Sequence, residues 1–283
     1  MKTQKITIVT DSSASLPEKI KTDLNICVIP LWLIWDNENF RDGIDIQPRE
    51  FYQRLKKSST LPTSTQPTVE EFKEFFQDCK GDSDAVVCVL ASSRISGTVD
   101  SACAAKEFFP ELPIQVVDSY FSAMGQGLIA MAAARAAAEG KSVDQVVAAA
   151  EKMREEANLL FVVDTLEYLH KGGRIGGAKR LLGTALNIKP ILHFDQGLIE
   201  PLSQTRTKKK AVGEMLDIAA ERLGGKKMAE AAIVHVDCLA EGELLVELVR
   251  DRFNPGNILI SDVSPVVGTH VGPGGLGLAF YPG

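Results

Sequence analysis

A short polar segment, Ser96-Gly97-Thr98, stands at the start of a predicted helix, Gly97–Phe109. The first amides of a helix lack intrahelical partners and lie at the positive end of its dipole, so they favour an anion. Gly97 allows the backbone to approach a ligand closely, and the hydroxyls of Ser96 and Thr98 add hydrogen-bond donors. We therefore expect an anion site here. An ordinary helix cap is the competing interpretation.

A second donor-rich segment, residues 62–67, begins and ends with proline. Thr68 and Glu71, which follow it, match a capping box at the start of the next helix, so Thr68 has a structural role. That leaves the hydroxyl groups of Ser64 and Thr65 unexplained. We treat both as candidate ligand contacts, and a polar surface loop is the competing interpretation.

An arginine and a histidine each occur in a glycine-rich segment. Arg174 lies within residues 172–177, and His270 lies within residues 268–277. The guanidinium fork suits a carboxylate or a phosphate, and an imidazole can donate a hydrogen bond to an anion. Both are candidate anion contacts. The alternative for Arg174 is a flexible surface turn, and the alternative for His270 is a structural hydrogen bond.

Residues 272–277 also match the pattern G-x-G-x-x-G, but the surrounding sequence argues against a dinucleotide site. That site needs a strand before the glycines, a helix after them and an acidic residue about 20 positions further on. Here a short apolar run, Leu278–Tyr281, follows the glycines and the sequence stops at Gly283. We expect no nucleotide cofactor.

Signatures of catalysis are missing from the sequence. It contains neither a G-x-x-x-x-G-K-[ST] phosphate loop nor a G-x-S-x-G elbow, and its histidines lack zinc-type spacing such as H-E-x-x-H. We therefore expect no metal and no enzymatic activity. A nucleophilic pair formed by Ser96 and His270 stays open as an alternative, without a candidate third member.

Composition narrows the class of protein. The 283 residues suit two domains, and a net charge of -6 makes nucleic acid an improbable partner. Five cysteines without a disulfide or zinc pattern suit a reducing compartment. The N-terminal stretch, residues 1–13, has no signal-peptide core, and no apolar run reaches the ~20 residues of a membrane span. We expect a cytoplasmic protein without stable membrane insertion.

The first half of the sequence alternates strands with helices. Its predicted strands are Lys5–Thr10, Ile26–Ile34 interrupted by Pro30, Asp84–Leu90 and Ile114–Val117. Ser15 is the expected cap of the first helix, with Glu18 as its box partner, and Ser142 with Gln145 caps a later one. Alternation of this kind predicts an α/β fold with a doubly wound, mainly parallel sheet and ligands at the carboxyl ends of its strands.

The second half predicts a mixed α+β domain. Two of its strands, Lys189–Phe194 and Leu198–Thr205, are joined by Asp195-Gln196-Gly197, which indicates a hairpin. The further expected strands are Leu159–Asp164, Ala231–Val236, Asn257–Val263 and Leu276–Tyr281, and the expected helices are Thr207–Leu223 and Leu239–Phe253. We place the domain boundary near residue 158, which gives domains at residues 1–157 and 158–283.

These segments, in this order, resemble the DegV family of bacterial fatty-acid-binding proteins, whose members with an assigned role are called FakB. The resemblance is carried by Ile8–Ser12, Val28–Leu31, Arg41–Asp45, Ser96–Thr98, Leu166–Leu169, Gly172–Ile175, Lys189–Ile191 and His270–Gly274. Each motif is weak by itself, but their joint order and spacing run nearly from end to end of the sequence.

The resemblance implies a fatty acid whose carboxylate is held at the domain junction and whose acyl chain is buried. It implies hand-over to a separate fatty acid kinase, which forms an acyl-phosphate for phospholipid synthesis. The residues that it assigns to the carboxylate end are Ser64, Thr65, Ser96, Gly97, Thr98, Arg174, Arg206 and His270. Ser64-Thr65 reverses the family's Thr-Ser order. The alternatives are a small-molecule enzyme, either an acyl hydrolase or a triose-kinase-type subunit, and a regulator acting through the basic helix start at Arg206.

Overall fold

A computed structural model describes residues 4–183 and 188–283. The expectation that residues 1–13 hold no signal-peptide core concerns, at residues 1–3, positions outside the described residues. The strands are β1 (Ile6–Asp11), β2 (Ile26–Ile29), β3 (Trp32–Trp35), β4 (Glu38–Arg41), β5 (Thr63–Thr65), β6 (Ala85–Leu90), β7 (Ile114–Asp118), β8 (Asn158–Val162), β9 (Lys189–Asp195), β10 (Leu198–Thr205), β11 (Met228–His235), β12 (Asn257–Asp262) and β13 (Leu276–Pro282).

The helices connect these strands, and two short 3-10 helices, Ser12–Ala14 and Gly176–Leu181, accompany them. The α-helices are α1 (Glu18–Asp23), α2 (Pro48–Leu55), α3 (Val69–Lys80), α4 (Thr98–Lys106), α5 (Ala123–Ala138), α6 (Val143–Glu156), α7 (Glu167–Lys171), α8 (Lys208–Leu223), α9 (Leu239–Phe253) and α10 (Pro265–Val271). Within the described residues, no helix is both long and apolar enough to cross a lipid bilayer.

The first sheet is parallel, with the strand order β2-β1-β6-β7. Strand β6 is buried along its whole length, as a central strand covered on both faces should be. One face packs on α3 and α4, through side chains that include Phe72 and Ala102, and the other packs on α5, through side chains that include Met124 and Leu128. The doubly wound parallel sheet expected from the sequence is confirmed.

A small antiparallel sheet, with the order β4-β3-β5, corrects two sequence expectations. The predicted strand Ile26–Ile34 is two strands, because the chain leaves the parallel sheet at Pro30 and re-enters as β3 in the small sheet. The polar segment around Ser64 is not a free loop. It forms β5, in which Ser64 pairs with Leu33.

The second sheet is mixed and has the order β10-β9-β8-β13-β11-β12. Strands β11 and β12 are parallel, and the remaining neighbours are antiparallel. The predicted hairpin is confirmed: Gln196 and Gly197 join β9 to β10, with φ of 46° and 82°. This sheet begins at Asn158, and helix α5 contacts both sheets. The division into domains near residue 158 stays a prediction.

Three helix starts test the capping predictions. Thr68 with Glu71 and Ser142 with Gln145 form the expected capping boxes. The prediction for Ser15 is wrong, because Pro17 fixes an extended backbone and α1 begins only at Glu18. Ser15 instead ends the 3-10 helix in a left-handed conformation, and its hydroxyl accepts the amide of Ser264 at 3.0 Å.

Candidate functional site

A cavity lies between the carboxyl edge of the first sheet, one face of the second sheet and helix α10. It leaves about 880 Å³ free of protein atoms, counting the part that is open to solvent. Its polar lining residues are Ser13, Ser64, Thr65, Gln66, Ser96, Ser122, Arg174 and His270. The apolar lining comes largely from the second sheet and α10 and includes Leu159, Phe161, Phe194, Ile199, Val234, Val263, Val266 and Val267. The location agrees with the general rule for ligands of open α/β sheets.

Asp11 holds together the loops that form the polar edge of this cavity. Its buried carboxylate accepts hydrogen bonds from the amide of Ala91 at 2.8 Å, from the Gln126 side chain at 3.0 Å and from Ser13. Burial raises the pKa of Asp11, and the hydrogen bonds oppose that rise. The loops after β1 and β6 are thereby fixed to α5.

His270 and Ser64 form a hydrogen-bonded pair in the cavity wall, with 2.7 Å between Nε2 and Oγ. Burial first, and then the charge of Arg174, lower the pKa of His270 to about 4, so its imidazole is neutral at pH 7. With the ring proton on Nε2, the histidine donates to Ser64 and leaves the serine hydroxyl hydrogen available to a ligand. Among the described residues, buried Nδ1 has no hydrogen-bond partner.

The sequence did not predict the helix that carries His270. Ser264 caps α10 by accepting the amide of Val267, Pro265 occupies the first turn, and Gly272 ends the helix with φ of 77°. Gly172 packs directly against the imidazole, since a Cβ at that position would lie 2.1 Å from His270 Nδ1. Two of the glycines noted in the sequence therefore end the helix and make room for its histidine.

Arg174 is fixed by backbone carbonyl groups rather than by a carboxylate. Its Nε donates to the oxygen of Ile95 at 3.1 Å, and its Nη1 donates to the oxygen of Gly172 at 2.8 Å. The guanidinium lines the cavity near His270, whose pKa it lowers. A positive charge held by neutral groups remains available to an anion.

The segment Ser96-Gly97-Thr98 contributes to the cavity through one residue only. Ser96 lines the wall, and its hydroxyl bonds to that of buried Thr98 at 2.8 Å. Gly97 is the N-cap of α4 and lies under the side chain of Gln66, whose Nε2 would be 2.9 Å from a Cβ at that position. Gly97 and Thr98 therefore do not line the cavity but contact two residues that do, Gln66 and Ser96.

Arg206 is not among the residues that line the cavity, and its assignment to the carboxylate end stays a prediction. Its side chain is exposed in the turn that precedes α8. At the other end of β10, the oxygen of Gly197 accepts the Ser92 hydroxyl at 2.8 Å.

Sequence reasoning did not single out three polar lining residues, Ser13, Gln66 and Ser122. Gln66 belongs to the proline-flanked segment and could have been found there. Ser13 and Ser122 follow the carboxyl ends of β1 and β7, so the strand-end rule that singled out Ser96 applies equally to them.

Comparison with known proteins gives a consistent result. A family model described as "Uncharacterised protein, DegV family COG1307" matches residues 5–283. A DegV domain-containing protein of Listeria monocytogenes is 37% identical over 98% of this chain and 98% of its own length.

Two solved structures share the fold over almost the full length. The first is a DegV family protein from Thermus thermophilus described by its fatty acid binding, with a TM-score of 0.91, 33% identity, and coverage of 98% of this chain and 99% of its own. The second is DegV from Bacillus subtilis, described as a fatty acid binding protein, with a TM-score of 0.91, 32% identity, and coverage of 99% and 100%.

Proposed function

Because the chain belongs to the DegV family, we propose that it binds one long-chain fatty acid and presents it to a separate fatty acid kinase. The observation that carries this proposal is a single cavity that combines a polar cluster around His270 with an extensive apolar wall. That combination matches a molecule with an anionic head and a hydrocarbon chain. The Thermus thermophilus and Bacillus subtilis relatives, which are described as fatty acid binding, support the same assignment.

The proposed carboxylate site consists of Ser64, Thr65, Ser96, Arg174 and His270. A carboxylate that leaves water must regain hydrogen bonds, because burying it without partners is costly. Arg174 supplies the positive charge, and hydroxyl groups supply neutral donors beside it. Neutral His270 orients Ser64 and brings no second charge to the cluster.

The proposed acyl chain lies along the apolar wall between the second sheet and α10. Phe161, Phe194 and Val234 contribute to this wall from β8, β9 and β11. Each methylene removed from water contributes about 0.8 kcal/mol, so a long chain binds firmly without further polar contacts. Residues from both proposed domains, 1–157 and 158–283, line the cavity, which supports a ligand site at their junction.

We propose binding without catalysis. The alternative function, an acyl hydrolase, is suggested by the hydrogen bond between Ser64 and His270, because hydrolases also pair a serine with a histidine. In a catalytic triad a carboxylate orients the other ring nitrogen, whereas His270 Nδ1 has no partner within the described residues. A histidine whose pKa lies at about 4 is also a weak general base at pH 7.

Native mass spectrometry of the purified protein tests binding. We expect one co-purified fatty acid per chain, or retention of one added palmitate or oleate. Ser96→Ala combined with His270→Ala should lower retention while thermal unfolding shows an intact fold. Absence of any bound or retained fatty acid would refute the proposal.

A second assay separates presentation from hydrolysis. Loaded protein incubated with a bacterial fatty acid kinase and ATP should yield acyl-phosphate, and protein without the kinase should yield none. Release of acid from an acyl ester by the protein alone, with Ser64 required, would establish the hydrolase instead.

A further inference from the structure

Ser122 is a buried hydroxyl for which the proposed carboxylate site has no use. It lines the cavity, is only 6% exposed, and occupies the N-cap position of α5. It makes no capping bond, and among the described residues its hydroxyl has no hydrogen-bond partner. The Ser122 hydroxyl is therefore able to form a hydrogen bond with a ligand in the cavity.

The start of α5 adds further unused donors around Ser122. The helix has 16 residues, and its first backbone bond is a long one, from the amide of Gln126 to the oxygen of Ser122 at 3.5 Å. The amides of residues 123–125 precede that bond and therefore have no partner within the helix. No acidic side chain occupies the first turn, and Ala123 also lines the cavity. The positive end of this helix dipole is therefore not neutralised within its own first turn.

Ser122 lies beside the apolar wall of the cavity, whereas His270 lies on α10 and Ser64 on β5. Ser122 follows β7, the edge strand of the first sheet, whereas α10 packs against the 3-10 helix that follows β1. Ser96 is the member of the carboxylate site whose strand, β6, neighbours β7. Next to Ser122, the ring of Phe121 packs on Phe194, whose centroid is 5.7 Å away.

We propose that this cavity takes fatty acids that carry an oxygen on the chain, with a hydroxyl or keto group bonded to Ser122 and the first amides of α5. The inference rests on the proposed function, since the carboxylate must first be held near His270. A plain methylene chain that covers Ser122 leaves these polar groups without water and without partners, which is costly. An oxygen at the matching carbon removes that penalty.

Competition binding against a fluorescent fatty acid tests the inference with palmitate and a series of monohydroxy-palmitates that differ in hydroxyl position. We expect the isomers whose hydroxyl falls within one narrow range of carbon positions to bind about tenfold more tightly than palmitate, which corresponds to about 1.4 kcal/mol. Ser122→Ala should abolish this preference and strengthen palmitate binding, because it removes a hydroxyl that the plain chain leaves without a partner. Ser93→Ala, which alters an exposed serine at the same edge of the sheet, is the matched control and should keep the preference.

The outcomes are distinguishable. Equal binding of all isomers, or a preference that survives in Ser122→Ala, would overturn the inference while palmitate binding upholds the proposed function. Loss of palmitate and of every isomer from the wild-type protein would overturn both. Ser122→Cys, which keeps the branching of the side chain but replaces the oxygen with a larger and weaker hydrogen-bonding sulfur, replaces the alanine variant if that variant unfolds. The same loss of preference is expected.

Discussion

At the scale of single residues, the proposed carboxylate site depends on the bond between Ser64 and His270 and on the charge of Arg174. Arg174 holds its place through backbone carbonyls, so its charge is not consumed by a neighbouring carboxylate. His270 stays neutral because burial and that charge both disfavour the imidazolium. The cluster therefore combines one permanent cation with neutral donors.

The bond between Ser64 and His270 predicts non-additive effects on fatty-acid binding. Ser64→Ala and His270→Ala should each weaken palmitate binding about tenfold, because each removes the oriented serine hydroxyl. The double variant should lose much less than the product of the two effects, since the residues act as one unit. Isothermal titration of the four proteins measures this coupling, and strictly additive losses would contradict the paired role.

His270 also predicts a pH dependence of stability. Its pKa is about 4 in the folded protein and near 6.5 when unfolded, so the unfolded state takes up the proton first as pH falls. The stability contributed by the neutral imidazole is present above pH 6.5 and is lost between pH 6.5 and pH 4. Relative to His270→Asn, the wild type should lose about 2 kcal/mol between pH 7 and pH 5.

Urea unfolding of both proteins at several pH values measures that difference. Taking the difference between the two proteins cancels contributions from other groups, such as Asp42, whose pKa burial raises to about 6. A difference that does not change with pH would show that His270 is exposed or already protonated.

At the scale of elements, helix α10 determines where the imidazole lies. Tyr52 on α2 anchors the entry to the helix by donating to the oxygen of Val263 at 2.8 Å. Gly268 allows the same tyrosine to pack against the helix, because a Cβ there would lie 2.2 Å from the phenol oxygen. The small antiparallel sheet holds Ser64 opposite His270 through the pairing of β5 with β3.

Gly268→Ala should displace α10 from Tyr52 and weaken palmitate binding about tenfold or more, with some loss of stability. Gly213→Ala in α8 is the matched control, because no atom lies within 4 Å of its added Cβ. Alanine is the better helix former, so the control should gain up to about 1 kcal/mol and bind palmitate normally. Equal binding by both variants would contradict the role given to α10.

Sequence patterns predicted the regular elements but not the ones that complete the site. The buried strands, the hairpin at Gln196-Gly197 and two capping boxes have local signals, and the structure confirms them. Helix α10 has 7 residues and contains valines, a glycine and a threonine, so it lacks any helical periodicity. Strand β5 has 3 residues and pairs with Leu33, far away along the chain, which no local pattern reveals.

Arg206 shows a second limit of sequence reasoning. The resemblance to a family assigns it to the carboxylate end, but its side chain is exposed and is not among those that line the cavity. Sequence motifs identify residue types, whereas the register and direction of the strands decide which of them meet.

At the scale of the whole molecule, the cavity joins the two sheets. Helix α5 packs on both sheets, and the largest apolar cluster contains residues of each, such as Val89 and Phe161. A ligand in this cavity touches both halves and binds only the folded protein. Its binding energy therefore adds to the stability of the whole chain.

The central claim is that the protein binds a fatty acid by its carboxylate, and isothermal titration with palmitate and with methyl palmitate tests it most directly. The two ligands share one acyl chain, but only palmitate carries a negative charge for Arg174. We predict one palmitate per chain and at least tenfold weaker binding of the methyl ester. Equal affinity for the two ligands, or no binding of palmitate, would contradict the account.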